Sequence, residues 1–323
     1  MSSEIIQGDC LAVLSAMPAA SVQCVVTSPP YWGLRDYGVD DAIGLEPTLD
    51  EFIAKMVAVF REVRRVLRPD GTLWLNLGDS YANDGKWGGE TGGKQAYLDD
   101  NNRKTVGREK RISGLKPKDL CGVPWTVAFA LQADGWWLRS DIVWHKPNPM
   151  PESCTDRPTK AHEQVFLLSK RAKYFWDQEA VREAHQTNLP VVKKAPGGRG
   201  ALCHVDTGKD GLGSIGYGEG GRNPRTVWTI ATQPFSGAHF ATMPPELARR
   251  CVAAGSARGD MVLDPFAGAG TTGLVACRLG RSFIGIELNP ANVAMAERRI
   301  LDGKWTPPEK EAPSGASQPV LFK

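Results

Sequence analysis

Asp264-Pro265-Phe266-Ala267-Gly268-Ala269-Gly270-Thr271-Thr272-Gly273 joins a short apolar run, Met261-Val262-Leu263, to a helix predicted over 271–279. Glycines let the backbone turn sharply and come close to a ligand. The first turn of a helix offers free N–H groups and positive potential. Beyond the helix, residues 282–286 (SFIGI) read as a strand, and Glu287 stands at its end. A carboxylate there can accept hydrogen bonds from both hydroxyls of a ribose. Gly268, Gly270 and Gly273 satisfy G-x-G-x-x-G, which is a weak signal alone. Strand, glycine loop, helix, strand and acid in that order indicate an adenosine-type cofactor. No lysine follows the glycines, so the loop is not a phosphate-binding P-loop. A dinucleotide and a sulfonium nucleoside both remain open on these residues.

Working outward, the same alternation of strand and helix recurs. Residues 22–26 (VQCVV) read as a buried strand closed by Thr27-Ser28-Pro29-Pro30. Residues 49–67 read as a helix with Phe52, Met56, Phe60, Val63 and Leu67 on one face, ended by Pro69 and Gly71. Further strands are predicted at 72–77, 138–146 and 164–169, and further helices at 124–134, 244–254 and 290–300. The pattern specifies an α/β fold with a mostly parallel sheet covered on both faces. Ligands of such sheets sit at the carboxyl ends of the strands. Two strand-to-loop junctions, Ser28–Tyr31 and Asp264–Thr272, open onto that edge.

The chain has 323 residues, room for about two domains. No apolar run approaches a membrane span, and the N-terminal MSSEIIQGDC lacks the charged and apolar regions of a secretory signal. Seven scattered cysteines without a C-x-x-C, and dispersed histidines, argue for reduced thiols in a cytoplasm and against a metal site. The net charge is +3, but residues 82–120 and 182–225 each carry +3 and together hold 17 of the 35 glycines. These are basic, glycine-rich loops on a mildly acidic body, suited to meet nucleic-acid phosphates or simply to be solvated.

DPFAGAGTTG followed by GIELN, with TSPPY at 27–31, resembles the cofactor loop, ribose acid and catalytic tetrapeptide of amino-methylating DNA methyltransferases. The catalytic motif precedes the cofactor loop, as in the β class of the N4-cytosine/N6-adenine enzymes. The resemblance extends through Gly8-Asp9-Cys10, GWWLRSDIVWHKPNPMPES and HFATMPPEL (239–247), covers most of residues 4–300, and is thinnest in the basic loops. It implies a Rossmann-like, S-adenosylmethionine-dependent fold of the seven-stranded type, with permuted motif order and inserted DNA-recognition loops. It also implies a prokaryotic or phage-encoded cytoplasmic enzyme acting on duplex DNA. A homodimer and a cognate restriction endonuclease are compatible with it. The chain then divides into a catalytic half (1–81), a basic insert (82–120), a continued core (121–181), a target-recognition region (182–230), a cofactor half (231–303) and a tail (304–323).

Amino methylation makes specific demands. The exocyclic amino group of a base is a poor nucleophile, because its lone pair is conjugated into the ring. An enzyme must turn that lone pair toward the methyl donor and accept the N–H hydrogens as charge develops. Ser28 offers a hydroxyl oxygen. Pro29 has no N–H and presents a rigid carbonyl, with Pro30 stiffening the turn. Tyr31 offers an aromatic face to a base that has left the duplex. Alone, Ser-Pro-Pro-Tyr reads as a strand-ending turn. No Pro-Cys occurs, so the nucleophile of C5-cytosine methylation is missing. By resemblance, serine at the first motif position leans toward N4-cytosine, and aspartate or asparagine toward N6-adenine.

The expected cofactor residues are Asp9, Cys10, His239, Phe240, Asp264, Pro265, Phe266, Gly268, Gly270, Thr271, Thr272 and Glu287. Asp9 is a candidate acceptor for the adenine amino group and also a helix cap for residues 11–16. Trp32, Arg35 and Tyr37 are candidates for the base pocket or target strand. Arg199, Arg222 and Arg225 are candidates for guanine or phosphate contacts. Trp136, Trp137 and Trp144 are expected in the core. A nicotinamide-dependent oxidoreductase would use the same glycines and Glu287 but leaves TSPPY unexplained. A DNA-binding module with a relic cofactor fold explains the loops but not the intact Ser28, Asp264 and Glu287.

Overall fold

The computed structural model describes residues 2–32, 43–82, 115–183, 221–233, 235 and 242–305. They form one eight-stranded sheet flanked by helices. In chain order the elements are β1 (Ser3–Gln7), α1 (Cys10–Ala16), β2 (Val22–Thr27), α2 (Leu49–Val66), β3 (Leu67–Leu77), α3 (Val123–Ala133), β4 (Trp137–His145), β5 (His162–Ser169), α4 (Gln178–Val181), β6 (Val227–Thr229), α5 (Pro245–Gly255), β7 (Met261–Asp264), α6 (Thr271–Arg278), β8 (Ser282–Glu287) and α7 (Pro290–Asp302). The strand order is β1-β8-β7-β2-β3-β5-β4-β6. Neighbours pair in parallel except β5, which runs antiparallel to both β3 and β4. The sheet is therefore mostly parallel, with eight strands rather than seven. The three-residue β6 is too short to carry a periodic signal and was not expected.

Strand alternation divides the core in two. Leu73, Leu75 and Leu77 of β3, with Phe166 and Leu168 of β5, meet Leu14 of α1, the Phe52-Met56-Phe60-Val63 stripe of α2, and Val127 and Leu131 of α3. Trp74, Val165 and Leu167 face the other way, onto Leu247 and Cys251 of α5 and Val275 of α6. β2 sits centrally between β7 and β3 and is buried along its whole length, which is why it reads as a continuous apolar run.

α2 begins with a capping box: Thr48 Oγ1 accepts from Glu51 N–H at 3.2 Å, and the Glu51 carboxylate accepts from Thr48 N–H at 3.4 Å. It ends at Val66, short of the predicted boundary, because Leu67 is already extended. Pro69 and Gly71 lie inside β3, where the pairing with β2 jumps from Val22–Leu67 to Cys24–Thr72. Proline forces the residue before it out of the helical region, and the unpaired stretch absorbs its missing N–H. A side chain at position 71 would stand 2.9 Å from the Gln23 carbonyl oxygen, so glycine is required there.

Trp136 and Trp144 are buried as expected, but Trp137 is 49% exposed. β4 pairs with β6 only over Val143–His145, leaving its first residues uncovered on one side. Among the described residues no helix is long and apolar enough to cross a membrane.

Candidate active site

Seven strands present their carboxyl ends to one edge of the sheet, and antiparallel β5 presents its amino end there. That edge holds a cavity of about 870 Å³. Gly8, Asp9 and Cys10 after β1, Asp264 to Ala269 after β7, and Glu287 to Asn289 after β8 line one part. Ser28 to Tyr31 after β2, Asn76 of β3 and Asp79 after it, Lys146 after β4 and Glu163 of β5 line the rest. Both motifs singled out from the sequence thus share one chamber, large enough for a nucleoside-sized cofactor and a base together.

The glycine loop is held by its neighbours. Glu287 Oε2 accepts from Gly268 N–H at 2.9 Å, and Oε1 accepts from Asn289 N–H at 2.8 Å. Gly270 caps α6 in the left-handed region (φ +73°), and a side chain there would meet Ala296 of α7 at 2.9 Å. Gly270 does not line the cavity, and its conformation and close packing shape the loop that does. The Thr271 and Thr272 hydroxyls are both engaged: Arg299 Nη1 donates to Thr271 Oγ1 at 2.9 Å, and Thr272 donates to the Val26 carbonyl at 3.2 Å. Arg299 also donates to the Ala269 carbonyl and lies over the Phe235 ring at 4.1 Å. Neither Arg299 nor Phe235 carried a sequence signal.

Asp264 ties the two motifs together. Its Oδ1 accepts from Thr27 Oγ1, at the end of β2, at 2.6 Å and from Phe266 N–H at 3.1 Å. Burial pushes this carboxyl up to about 6, against the pull of its O–H and N–H donors, and the nearby Glu287 charge adds to the rise. A carboxyl raised in the folded state stabilises the fold fully below its ordinary value of 3.8 and loses that contribution as pH rises through about 6. The stability difference between wild type and Asp264→Asn is therefore expected to shift by up to ~3 kcal/mol in favour of the variant between pH 4 and 7. Urea denaturation across that range measures it, and a pH-independent difference would overturn the argument.

Asp9 caps α1, its carboxylate accepting from Ala12 N–H at 2.9 Å while the residue lines the cavity, so the two expected roles are compatible. Cys10 is buried, and burial pushes its thiol up to about 12, so it packs as a neutral group. Thr242 Oγ1 also lines the cavity and is buried without a hydrogen-bond partner among the described residues.

At the catalytic turn, Pro29 is buried, while Ser28, Pro30 and Tyr31 are half-buried. The Tyr31 ring lies against Gly78, where a Cβ would stand 2.6 Å from Cε2. Its hydroxyl donates to Glu163 Oε2 at 2.6 Å. Asn76 Nδ2 stands 2.9 Å from both Tyr31 Oη and Glu163 Oε2, and 3.3 Å from Ser28 Oγ. Lys146 pairs with the other Glu163 oxygen and sits 4.4 Å from the Trp144 ring centroid. Burial would raise the Glu163 carboxyl, but the Lys146 ammonium and the Lys146, Tyr31 and Asn76 donors together hold it below its usual range. Sequence reading missed Asn76, Lys146 and Glu163: no local pattern shows that antiparallel β5 brings Glu163 to this edge, and without Glu163 nothing marks Asn76 and Lys146 as its partners.

One expected DNA contact is corrected. Trp32 is buried in the core, and its indole N–H donates to the Glu46 carbonyl at 3.0 Å. Segment 43–46 packs behind the catalytic turn and captures the ring. Trp32→Ala is expected to cost about 3–5 kcal/mol in urea denaturation. Lost DNA affinity at unchanged stability would instead place the ring outside the core. Arg222 and Arg225 precede β6, which pairs with the carboxyl end of β4 over Val143–His145. There Glu183 pairs with Arg222 at 3.2 Å and lies 3.9 Å from Arg225. Arg35, Tyr37, Arg199, His239 and Phe240 lie outside the described residues.

Residues 22–298 match the N6/N4 methyltransferase family, described as DNA methylase. The chain is 48% identical over 300 residues to the type II methyltransferase M.Cfr9I of Citrobacter freundii, covering 92% of this chain and 87% of that protein. It is 46% identical over 303 residues to M.SmaI of Serratia marcescens, covering 93% and 91%. Among solved structures it is similar to the PvuII DNA methyltransferase (cytosine-N4-specific), at 20% identity and a TM-score of 0.62, covering 95% and 89%. It is also similar to TTHA0409 of Thermus thermophilus, a putative DNA modification methylase complexed with S-adenosyl-L-methionine, at 24% identity and a TM-score of 0.56, covering 93% and 95%.

Proposed function

The chain belongs to the N6/N4 family of DNA methylases, and from that premise we propose that it methylates the N4 amino group of a cytosine swung out of duplex DNA. It is a type II DNA methyltransferase dependent on S-adenosyl-L-methionine. The residues present fit that cofactor. Glu287 and the backbone of the Gly268 loop suit the ribose, Asp9 suits the adenine amino group, and Thr242 Oγ1, buried without a hydrogen-bond partner among the described residues, suits a polar atom of the cofactor. When bound, the cofactor supplies an electrophilic methyl group on a sulfonium sulfur.

The chain's own residues prepare the acceptor. Ser28 Oγ and the Pro29 carbonyl accept the two amino hydrogens, which turns the nitrogen lone pair out of ring conjugation. Tyr31 supplies the face against which the base rests, backed by Gly78. No covalent bond between base and protein is called for. Serine is too weak an acid or base at neutral pH to deprotonate the amino group in advance, so its proton leaves after transfer.

One observation supports this reading above the others: Ser28 and the Glu287-anchored loop open into a single chamber. Preference for cytosine rests on serine at the first position of the motif. The test is to incubate the protein with S-adenosyl-L-methionine and unmethylated genomic DNA, digest to nucleosides and weigh them. N4-methyldeoxycytidine is the expected product. N6-methyldeoxyadenosine would keep the mechanism and overturn the base assignment, and no methylated nucleoside would overturn DNA as the acceptor.

A further inference from the structure

A hydroxyl hydrogen can point either way, so Ser28 Oγ could meet an amino group as donor or as acceptor. Only the second is productive. What selects between them lies deeper, at Glu163 of β5 and Lys146 just after β4.

The Glu163 carboxylate is ionised and can only accept. Tyr31 has one hydroxyl hydrogen, and the 2.6 Å contact with Glu163 Oε2 commits it there. Toward Ser28 the phenol oxygen therefore offers only lone pairs. Ser28 Oγ stands 3.3 Å from Tyr31 Oη as its donor. With that hydrogen directed inward and Asn76 Nδ2 facing one lone pair of Ser28 Oγ at 3.3 Å, the other lone pair is left for an incoming N–H group. Asn76 Nδ2 shares its two hydrogens among three oxygens and accepts from none of them, which reinforces the same direction. Lys146 keeps the terminal carboxylate charged.

We propose that Glu163 is a positioning residue: its carboxylate sets the direction of the chain Ser28 to Tyr31 to Glu163, so that Ser28 meets the target amino group as a hydrogen-bond acceptor. The inference rests on the reading of Ser28 as the amino-group acceptor. It adds that the polarity of that serine is imposed by an ion pair from strands outside the catalytic motif. As positive charge grows on the amino nitrogen, the same chain carries the influence of the Glu163 charge to it.

Glu163→Gln preserves shape but introduces an NH2 group. That group can donate to Tyr31 Oη, turn the phenol hydrogen toward Ser28, and leave the serine hydrogen facing the substrate. The expected result, in the full-length protein, is a kcat lowered by about 10- to 100-fold. The KM for S-adenosyl-L-methionine should stay within about twofold, since Glu163 does not hold the cofactor. Tyr31→Phe removes the same link while leaving the Lys146 ion pair, and should lower kcat comparably. In the double variant the losses should not add, because either change severs one chain. Wild-type kcat in Glu163→Gln, or fully additive losses, would overturn the proposal. Should Glu163→Gln fail to fold, Tyr31→Phe decides alone, and undiminished kcat there overturns it. Ser28→Ala assayed in parallel separates the two levels. Undiminished turnover in that variant overturns the reading of Ser28, whereas a loss there beside an active Glu163→Gln overturns only the role of Glu163.

Discussion

Ser28→Ala is expected to lower single-turnover methyl transfer by about 10²–10³-fold while leaving cofactor affinity unchanged. The magnitude is that of removing one preorganised hydrogen-bonding group aimed at a developing charge. Alanine keeps the backbone of the turn, so the Pro29 carbonyl remains in place and residual activity persists. The side chain contacts Tyr31 and Asn76, both with other partners, and so its loss leaves the fold intact. Rapid-quench transfer of a labelled methyl group, paired with calorimetric cofactor binding, measures both halves of the statement. Near-wild-type turnover would remove Ser28 from the mechanism. A parallel loss of cofactor binding would mean that the serine supports the chamber and not the acceptor.

Glu287→Gln is the second large effect, and it falls on binding. Each carboxylate oxygen already accepts a backbone N–H, from Gly268 on one side and Asn289 on the other. An amide has one accepting oxygen, so one of those N–H groups must face an NH2 group. The change therefore unseats either the glycine loop or the start of α7, and it weakens any ribose contact as well. Losing a charged hydrogen bond costs about 1.5–3 kcal/mol, so affinity for S-adenosyl-L-methionine should fall by about 10- to 100-fold. kcat at saturating cofactor should change little, because Glu287 belongs to the loop side of the chamber, away from Ser28 and Tyr31. Isothermal titration and saturation kinetics separate these outcomes. Unchanged affinity would show that the loop is held without Glu287.

The amino-acid sequence by itself determined the parts whose chemistry is contiguous. Glycine loop, helix start and following acid lie within residues 264–287, and the catalytic tetrapeptide within 28–31, each at the end of an apolar strand. Local backbone rules and the alternation of strands and helices suffice to place both on one edge of a parallel sheet. Tertiary structure alone decided the rest, because it depends on strand direction and on segments that return from afar. Glu163 reaches Tyr31 across 132 residues only because β5 runs antiparallel and brings its first residues to the catalytic edge. Trp32 stands beside the catalytic turn in the chain, yet residues 43–46 fold back and bury it. Arg222 and Arg225 sit in a basic stretch as plausible as any other, and only the fold shows that Glu183 pairs with Arg222 and lies beside Arg225. Side-chain type and spacing are local properties of the chain, whereas the end of a strand at which a residue emerges is set by the pairing of the whole sheet.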